Sequence, residues 1–245
     1  YAPFLPHTPH NPPTRLLAKY RKDGRSMSIA KYYAMCDWFD ETCGQLINCL
    51  EKKKVRDDTL IVYVTDNGWI QNPTRNGYAP RSKQTPYEGG VRTPIMFSWP
   101  NGGLKPVDRP ELVSSIDIVP TILSAAGSRI PDDLPGLDLL DNLKKNSPIK
   151  RSGIFGESFA HDIADVEKPE ASLLFRWRIE GKWKLLLTYD GEVNRYKSTH
   201  PRTEKRPQLF DLSKDSHEKN NLAAKHPEVV ADLAAKIAGW WPVKE

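Results

Sequence analysis

The chain has 245 residues, of which 38% are hydrophobic and 27% are charged, and its formal net charge is +5. This composition is typical of a folded globular protein with one large domain or two small ones, and it excludes an intrinsically disordered chain. Basic residues are spread along the sequence, which argues against nucleic acid as a partner, and no apolar run approaches the roughly 18 residues of a membrane span.

The first segment, residues 1–13, is rich in proline and is predicted to be irregular. Its two histidines, His7 and His10, are by themselves typical of a rigid surface loop. A long helix is predicted from Ser28 to Lys54, because apolar residues recur at three- and four-residue steps with acidic residues between them. The members of this apolar stripe are Ile29, Tyr32, Cys36, Phe39, Cys43, Leu46, Ile47 and Leu50. We expect this apolar stripe to pack on a sheet.

The three cysteines, Cys36, Cys43 and Cys49, all lie within the predicted helix. At a rise of ~1.5 Å per residue, neighbours in this series are separated by roughly 9–10.5 Å. That distance is too long for a disulfide bond, and the spacing does not fit a zinc site. We therefore expect all three thiols to be reduced.

After the helix, Leu60 to Val64 form an unbroken, largely apolar run. Such a run predicts a strand that is buried on both faces, as in a parallel sheet covered by helices. It ends in Thr65-Asp66-Asn67-Gly68, which places a carboxylate and an amide oxygen at the edge where open α/β sheets bind ligands. These oxygen ligands suit Ca²⁺ or Mg²⁺, although Asn-Gly alone is also typical of a tight turn.

A second polar segment, Lys83-Gln84-Thr85-Pro86-Tyr87-Glu88-Gly89-Gly90-Val91-Arg92, leads into a predicted strand from Ile95 to Trp99. Lys83 offers a compact positive charge to an anion. The glycine pair allows backbone geometry that is closed to other residues. The loop between the two motifs, residues 69–81, is predicted to overhang a pocket at the sheet edge.

After one more helix and a charged connector, the C-terminal part of the chain is predicted to form a separate small unit. Ser114 to Gly127 is a predicted helix ended by glycine, in which we interpret Asp117 as a structural carboxylate. A charged connector, residues 142–151, follows it. We therefore predict an α/β core over residues 1–150 and a second domain over residues 151–245. In the second domain, short strands and a closing helix are predicted at Ile154–Glu157, Leu173–Arg178, Trp183–Thr188, Gln208–Leu212 and Pro227–Trp241.

The motif TDNG, followed by a polar loop and then K-x-T-x-Y-E-G-G-V-R-x-P, resembles the type I sulfatases, the formylglycine-dependent branch of the alkaline phosphatase superfamily. The pattern Q-L-F-D-L-x-x-D-x-x-E-x-x-N-L is similar to the C-terminal subdomain of that family. The resemblance implies an α/β fold, with a mixed sheet flanked by helices and truncated at the N-terminus. It also implies a small C-terminal antiparallel sheet with a helix.

The resemblance also implies roles for individual residues. Lys83 and His10 correspond to catalytic residues, with Lys83 on the sulfate and His10 near the leaving oxygen. His7 corresponds to a neighbour in the pocket. His161, in a polar loop of the second domain, is a candidate substrate contact, although an ordinary surface loop also explains it. The implied substrate is a sulfated small molecule or glycan, and the implied reaction is hydrolysis of a sulfuric ester.

The implied cofactors are a metal ion and a modified nucleophile. Asp66 and Asn67 correspond to two ligands of Ca²⁺, which we expect in preference to Mg²⁺. The family makes its formylglycine nucleophile from the Cys or Ser of a C/S-x-P-x-R motif, and this motif does not occur in the 245 residues. The chain resembles about the C-terminal half of a typical sulfatase, so we expect it to be inactive alone, with the formylglycine in a missing N-terminal part. The resemblance implies a periplasmic or secreted location, although the chain begins without the basic and apolar regions of a signal peptide.

Two other interpretations remain open. A phosphatase or phosphodiesterase of the same superfamily would hold two metal ions, and metal stoichiometry would distinguish it. A non-catalytic relative would keep an anion pocket and bind sulfate or a glycan without turnover.

Overall fold

The computed structural model describes residues 1–21, 24–160, 163–189 and 205–243. The helices are α1 (Thr14–Arg21), α2 (Met27–Lys52), α3 (Glu88–Val91), α4 (Ile118–Ala125), α5 (Leu140–Lys145) and α6 (Pro227–Trp240). The strands are β1 (Ile61–Val64), β2 (Ile95–Ser98), β3 (Ile154–Phe159), β4 (Leu173–Glu180), β5 (Trp183–Thr188) and β6 (Gln208–Asp211). Among these described helices, none has the length and apolar character needed to cross a membrane.

Helix α2 confirms the long helix predicted from the apolar periodicity. Its N-terminus is capped by Ser26, whose hydroxyl oxygen accepts a hydrogen bond from Ile29 N at 3.4 Å. The fully buried apolar side chains are Ala30, Ala34 and Met35, while the predicted stripe is mostly half-buried. The most buried positions of α2 therefore lie beside the stripe, and two of them carry alanine, whose small side chain allows close approach of the neighbouring backbone.

Two further expectations for α2 are confirmed. The ring of Phe39, within the predicted stripe, packs against Tyr63 of β1 with centroids 6.0 Å apart. Helix α2 therefore packs on strand β1 at this contact. The three cysteines are all free, with Cys36 and Cys43 partly buried and Cys49 exposed.

Strands β1 and β2 pair with each other in an antiparallel ribbon, in which Ile61 faces Ser98 and Val64 faces Ile95. The expectation of a parallel strand buried on both faces is wrong for this structure. An apolar run indicates that a strand can be buried, but it carries no information on whether the neighbouring strand is parallel or antiparallel. Val64 and Met96 are 43% and 53% exposed, so part of the ribbon is uncovered among the described residues.

Asp117 has the structural role that the sequence predicts. It closes a 3-10 turn (Ser115–Asp117) that continues into α4, and its carboxylate accepts hydrogen bonds from Ser114 N and Leu137 N, each at 2.8 Å. It also pairs with the Arg151 guanidinium at 2.5 Å. Asp117 is almost fully buried, so these partners compensate the loss of its hydration.

The C-terminal part forms one four-stranded antiparallel sheet in the order β3-β4-β5-β6. The four strands and the closing helix confirm the elements predicted from residue 154 onward. One face of the sheet packs Leu185 and Leu209 against Leu233 and Ile237 of α6. The other face buries a second cluster around Trp177, towards the rest of the chain. The division at residue 150 remains a prediction.

Candidate functional site

Three segments meet around the indole ring of Trp69, directly after the carboxyl end of β1. The imidazoles of His7 and His10 lie 6.4 Å and 6.0 Å from the indole, measured between ring centroids. The ammonium group of Lys83 lies over the same ring, 5.7 Å from its centroid. Residues that are 76 positions apart in the chain, His7 and Lys83, are therefore brought to one place by Trp69.

The closest polar contact in this group joins Lys83 to His7. The Lys83 ammonium donates to His7 Nε2, with the two nitrogen atoms 3.0 Å apart, while His7 Nδ1 lies 2.7 Å from the carbonyl oxygen of Thr8. A carbonyl is an acceptor, so Nδ1 carries the proton and Nε2 offers the lone pair. This pattern fits a neutral imidazole that orients Lys83, whose ammonium has further N–H groups for an anion.

His10 is a buried histidine without the hydrogen bonds that burial normally requires. Its side chain is 6% exposed and its ring lies 5.6 Å from that of Tyr32. Neither ring nitrogen has a hydrogen bond of ordinary geometry within the described residues. Burial lowers the pKa of His10, and His7 and Lys31 lower it further, whereas the nearby Pro6 carbonyl acts in the opposite direction.

A buried, unpaired imidazole is unfavourable by roughly 1–3 kcal/mol. Such groups in folded proteins therefore call for an explanation, and a ligand that pairs with the ring is one. His10 and the contact between His7 and Lys83 both border the indole ring of Trp69. The three residues together offer a hydrogen-bonding imidazole and a cation to one small anion.

The two motifs are held together by close backbone packing at glycine. Gly68 N donates to the carbonyl oxygen of Gly90 at 2.8 Å. A Cβ added at Gly90 would lie 2.4 Å from the carbonyl oxygens of both Ser82 and Thr85. Neither glycine of the pair has a positive φ, so close backbone packing, and not the backbone angle, closes these positions to other residues. Glycine is needed here because a side chain would push the two loops apart.

The unusual backbone angles lie instead beside Lys83. Arg81 and Gln84 have φ values of 57° and 64°, in the left-handed region that side chains disfavour. Such residues persist where surrounding contacts hold them, and they cluster at functional sites. The Ser82 hydroxyl accepts a hydrogen bond from Ile70 N at 2.5 Å, which ties this loop to the residue after Trp69.

Asp66 and Asn67 stand at the carboxyl end of β1, as predicted from the sequence. Asp66 Oδ1 accepts a hydrogen bond from Asn67 N at 2.9 Å, and the Asn67 amide donates to the carbonyl oxygen of Gly68 at 2.9 Å. The second arrangement leaves the Asn67 amide oxygen available as a ligand. A carboxylate and an amide oxygen are suitable donors for Ca²⁺, which takes 6–8 oxygen ligands. Across the described residues no group of three or more metal-ligating side chains is found, so Asp66 and Asn67 do not by themselves make a complete metal site.

The structure thus brings His7, His10 and Lys83 together and places Asp66 and Asn67 in the loop that leads to Trp69. His161 lies outside the described residues. Trp69 itself was missed by sequence reasoning, although its position directly after the TDNG motif is a usable signal. Tyr32 was assigned to the core stripe of α2, and sequence periodicity alone gives no indication that it borders the site.

Similarity to known proteins identifies the family of the chain. The sulfatase family model matches residues 2–128, more than half of the 245 residues, and a model described as N-sulphoglucosamine sulphohydrolase, C-terminal, matches residues 80–240. The chain therefore belongs to the sulfatase family. The expected family and fold class are both confirmed.

Three similar proteins illustrate the extent of the match. A sulfatase from Formosa agariphila is 29% identical over 97% of this chain and 44% of its own length. An N-acetylgalactosamine-6-O-sulfatase from Bacteroides thetaiotaomicron is 28% identical over 93% of this chain and 44% of its own length. The solved structure of BT4656 in complex with its substrate D-glucosamine-2-N,6-O-disulfate has a TM-score of 0.63 and 22% identity, covering 92% of this chain and 44% of that one. The chain thus spans less than half the length of the curated relatives it matches.

Proposed function

We propose that this chain is part of a formylglycine-dependent sulfatase that removes sulfate from sulfated carbohydrates, and that it supplies the sulfate-binding half of the active site. The observation that carries the proposal is the contact between Lys83 and His7 at 3.0 Å, beside a buried and unpaired His10. The names of the relatives support the substrate class, since one is a sulfatase for N-acetylgalactosamine 6-sulfate groups and another binds a disulfated glucosamine.

In this proposal each residue has a distinct chemical role. The Lys83 ammonium stabilises negative charge on the sulfuryl oxygens, and His7 holds the ammonium in position through its Nε2 lone pair. His10, kept neutral by burial, donates a hydrogen bond from its ring N–H to the leaving oxygen and keeps its proton. A bound anion would also accept a hydrogen bond from the one ring N–H of a neutral His10, whose nitrogens are unpaired in the described residues.

Asp66 and Asn67 are proposed to supply two of the oxygen ligands of Ca²⁺. When bound, the ion would polarise the sulfuryl oxygens as a Lewis acid. The formylglycine and the remaining acidic ligands are proposed to belong to a segment outside these 245 residues, and the natural protein to be periplasmic or secreted. We accordingly propose that this polypeptide alone does not turn over sulfate esters. A metal-dependent sulfatase activity of the isolated chain that is lost in His10→Asn would contradict this statement.

The binding role can be tested by calorimetry with the isolated chain. We expect glucosamine 6-sulfate to bind at least tenfold more tightly than unsulfated glucosamine at the same ionic strength, because the charge-assisted contacts depend on the sulfate group. Equal binding of the two sugars would overturn the assignment of the site. A metal titration of the natural full-length protein distinguishes the sulfatase from a phosphatase relative, since one bound ion is expected and two would favour the phosphatase.

A further inference from the structure

Lys184 is the second residue of strand β5 and is completely buried, with a side-chain exposure of 0%. Burial of an ammonium group is costly unless it is paired. Its partners come from distant parts of the chain, since the ammonium lies 3.0 Å from Glu88 Oε1 and 2.9 Å from Glu218 Oε1. Glu88 belongs to the E-G-G motif beside the candidate site, so Lys184 connects the C-terminal sheet to that motif.

The two glutamates are also joined directly. Glu218 Oε2 accepts a hydrogen bond from Glu88 N at 2.5 Å. Burial raises the pKa of the Glu218 carboxyl, and the neighbouring Lys184 opposes this by favouring the ionised form. The cluster of Lys184, Glu88 and Glu218 is therefore a buried triad with one cation between two carboxyl groups. Arg92 also pairs with Glu88, at 3.9 Å, but it is exposed and contributes little.

The C-terminal part also contacts the segment that carries Lys83 on its N-terminal side, at Arg81. The Arg81 guanidinium donates a hydrogen bond to the backbone carbonyl of Glu218 and stacks on the Tyr87 ring at 4.5 Å. The Tyr87 hydroxyl donates to Gln208 Oε1 of β6 at 2.9 Å. Both flanks of the loop, at Arg81 and at Tyr87–Glu88, are thus attached to the C-terminal part. Lys83 lies between them, in a segment with two left-handed backbone conformations.

From this arrangement we propose that Lys184 is a positioning residue for sulfate binding: acting through Glu88 and Glu218, it holds the loop of residues 81–91 so that Lys83 meets His7. The inference rests on the proposed function of the site, but it concerns a residue that touches neither the anion nor His7. It predicts that a change inside the C-terminal sheet weakens anion binding at the edge of the other sheet. The link is the loop backbone, because Gly68 N bonds to Gly90 O two residues after Glu88.

The matched control is Arg178, another buried cation of the C-terminal sheet. Arg178 lies on β4 and pairs with Glu180 of the same strand at 2.7 Å, and its guanidinium lies over Phe155. Its ion pair therefore stays within the C-terminal part. A variant that damages only the C-terminal core should resemble Arg178→Met, whereas a variant that releases the loop should behave differently.

The test compares the full chain with its Lys184→Met and Arg178→Met variants by NMR. Sulfate affinity and the hydrogen exchange of the Gly68 amide are measured in each protein. The Trp69 indole N–H, which donates to Gln71 Oε1 at 3.0 Å, reports on the site itself. We expect Lys184→Met to weaken sulfate binding at least tenfold, to speed Gly68 exchange at least tenfold and to shift the Trp69 indole resonance. Arg178→Met should change each quantity less than twofold.

The outcomes separate the two proposals. If the parent chain binds no sulfate, the proposed function fails, and the exchange rate of Gly68 still decides whether Lys184 holds the loop. If Lys184→Met and Arg178→Met give the same exchange and the same indole resonance, the positioning role is overturned. If Lys184→Met does not fold, Glu218→Gln replaces it, since it keeps an acceptor for Glu88 N while removing the charge beside Lys184. We then expect sulfate affinity about threefold weaker than in the parent, and unchanged affinity would contradict the inference.

Discussion

The two parts of the chain distribute packing and chemistry in opposite ways. In the C-terminal part, the antiparallel sheet buries apolar side chains on both faces, and few large apolar groups are exposed. In residues 1–150 the buried apolar set is small, and many large apolar side chains remain exposed on α2, the β1–β2 ribbon and α4. All the candidate site residues within the described parts of the chain belong to this less densely packed part.

The densely packed C-terminal part supports a site whose local features are unfavourable. The region around Trp69 contains a buried unpaired imidazole and two left-handed side-chain-bearing residues. These features are destabilising locally and need a rigid neighbour. The C-terminal sheet is that neighbour, since Lys184, Gln208 and Glu218 all contact the loop that carries Lys83.

The largest expected effect tests whether the C-terminal part is more densely packed than residues 1–150. Leu185 is fully buried between the sheet and α6, whereas Leu46 on α2 is about half-exposed. We expect Leu185→Ala to lower the free energy of unfolding by about 2–5 kcal/mol, because it leaves a cavity in the core. The matched change Leu46→Ala should stay within about 0.5 kcal/mol of the parent. Urea denaturation measures both, and equal losses would remove the distinction between the two parts.

A second pair of variants tests the close packing of the two motifs. Gly90→Ala places a Cβ against two carbonyl oxygens, so we expect a loss of about 1–3 kcal/mol in the free energy of unfolding. Gly44→Ala, in the interior of α2, meets no atom within 4 Å and should stabilise the chain by about 0.5–1 kcal/mol. Thermal unfolding followed by circular dichroism should show a lower free energy of unfolding for Gly90→Ala and a higher one for Gly44→Ala. A stabilising Gly90→Ala would show that the loops do not need this close approach.

The smallest effect concerns pH and His10. Burial lowers the folded-state pKa of His10 below its ordinary 6.5, so the unfolded chain binds more protons in the interval between the two values. The stabilisation from this group is therefore present above pH 6.5 and is lost as the pH falls towards the folded-state pKa. Urea denaturation between pH 7.5 and 5 should show this loss in the parent and a shallower dependence in His10→Phe.

The exposed His217 provides the control for this prediction. His217→Gln should keep the pH dependence of the parent. If His10→Phe and the parent lose the same free energy of unfolding over this pH range, the result contradicts the statement that His10 is buried and neutral in the folded chain.

Much of the fold and part of the site could be predicted from the sequence. Sequence patterns located α2 and the four C-terminal strands, and the resemblance carried by the TDNG and K-x-T-x-Y-E-G-G-V-R motifs pointed to Lys83 and His10, which the structure places around Trp69. The antiparallel pairing of β1 could not be predicted, because an apolar run carries no information on strand direction.

Long-range polar contacts were equally hidden. Lys184 interrupts the apolar strand pattern Trp-Lys-Leu-Leu-Leu, which marks it as unusual. Its partners could not be identified in the sequence, because Glu88 precedes it by 96 residues and Glu218 follows it in a turn after β6. Trp69 has a local signal, its position after Gly68, yet its role as the meeting point of His7, His10 and Lys83 depends on tertiary packing.

The most direct measurement for the central proposal is an NMR titration of the chain with sodium sulfate, using sodium chloride at equal ionic strength as the reference. Three proteins are compared: the parent, Lys83→Met, and Lys105→Met, which removes an exposed lysine elsewhere on the surface. We expect saturable shifts at the Trp69 indole N–H and the His10 ring in the parent and in Lys105→Met, and affinity at least tenfold lower in Lys83→Met. Equal shifts in all three proteins, or shifts matched by chloride, would contradict a sulfate site built on Lys83, His7 and His10.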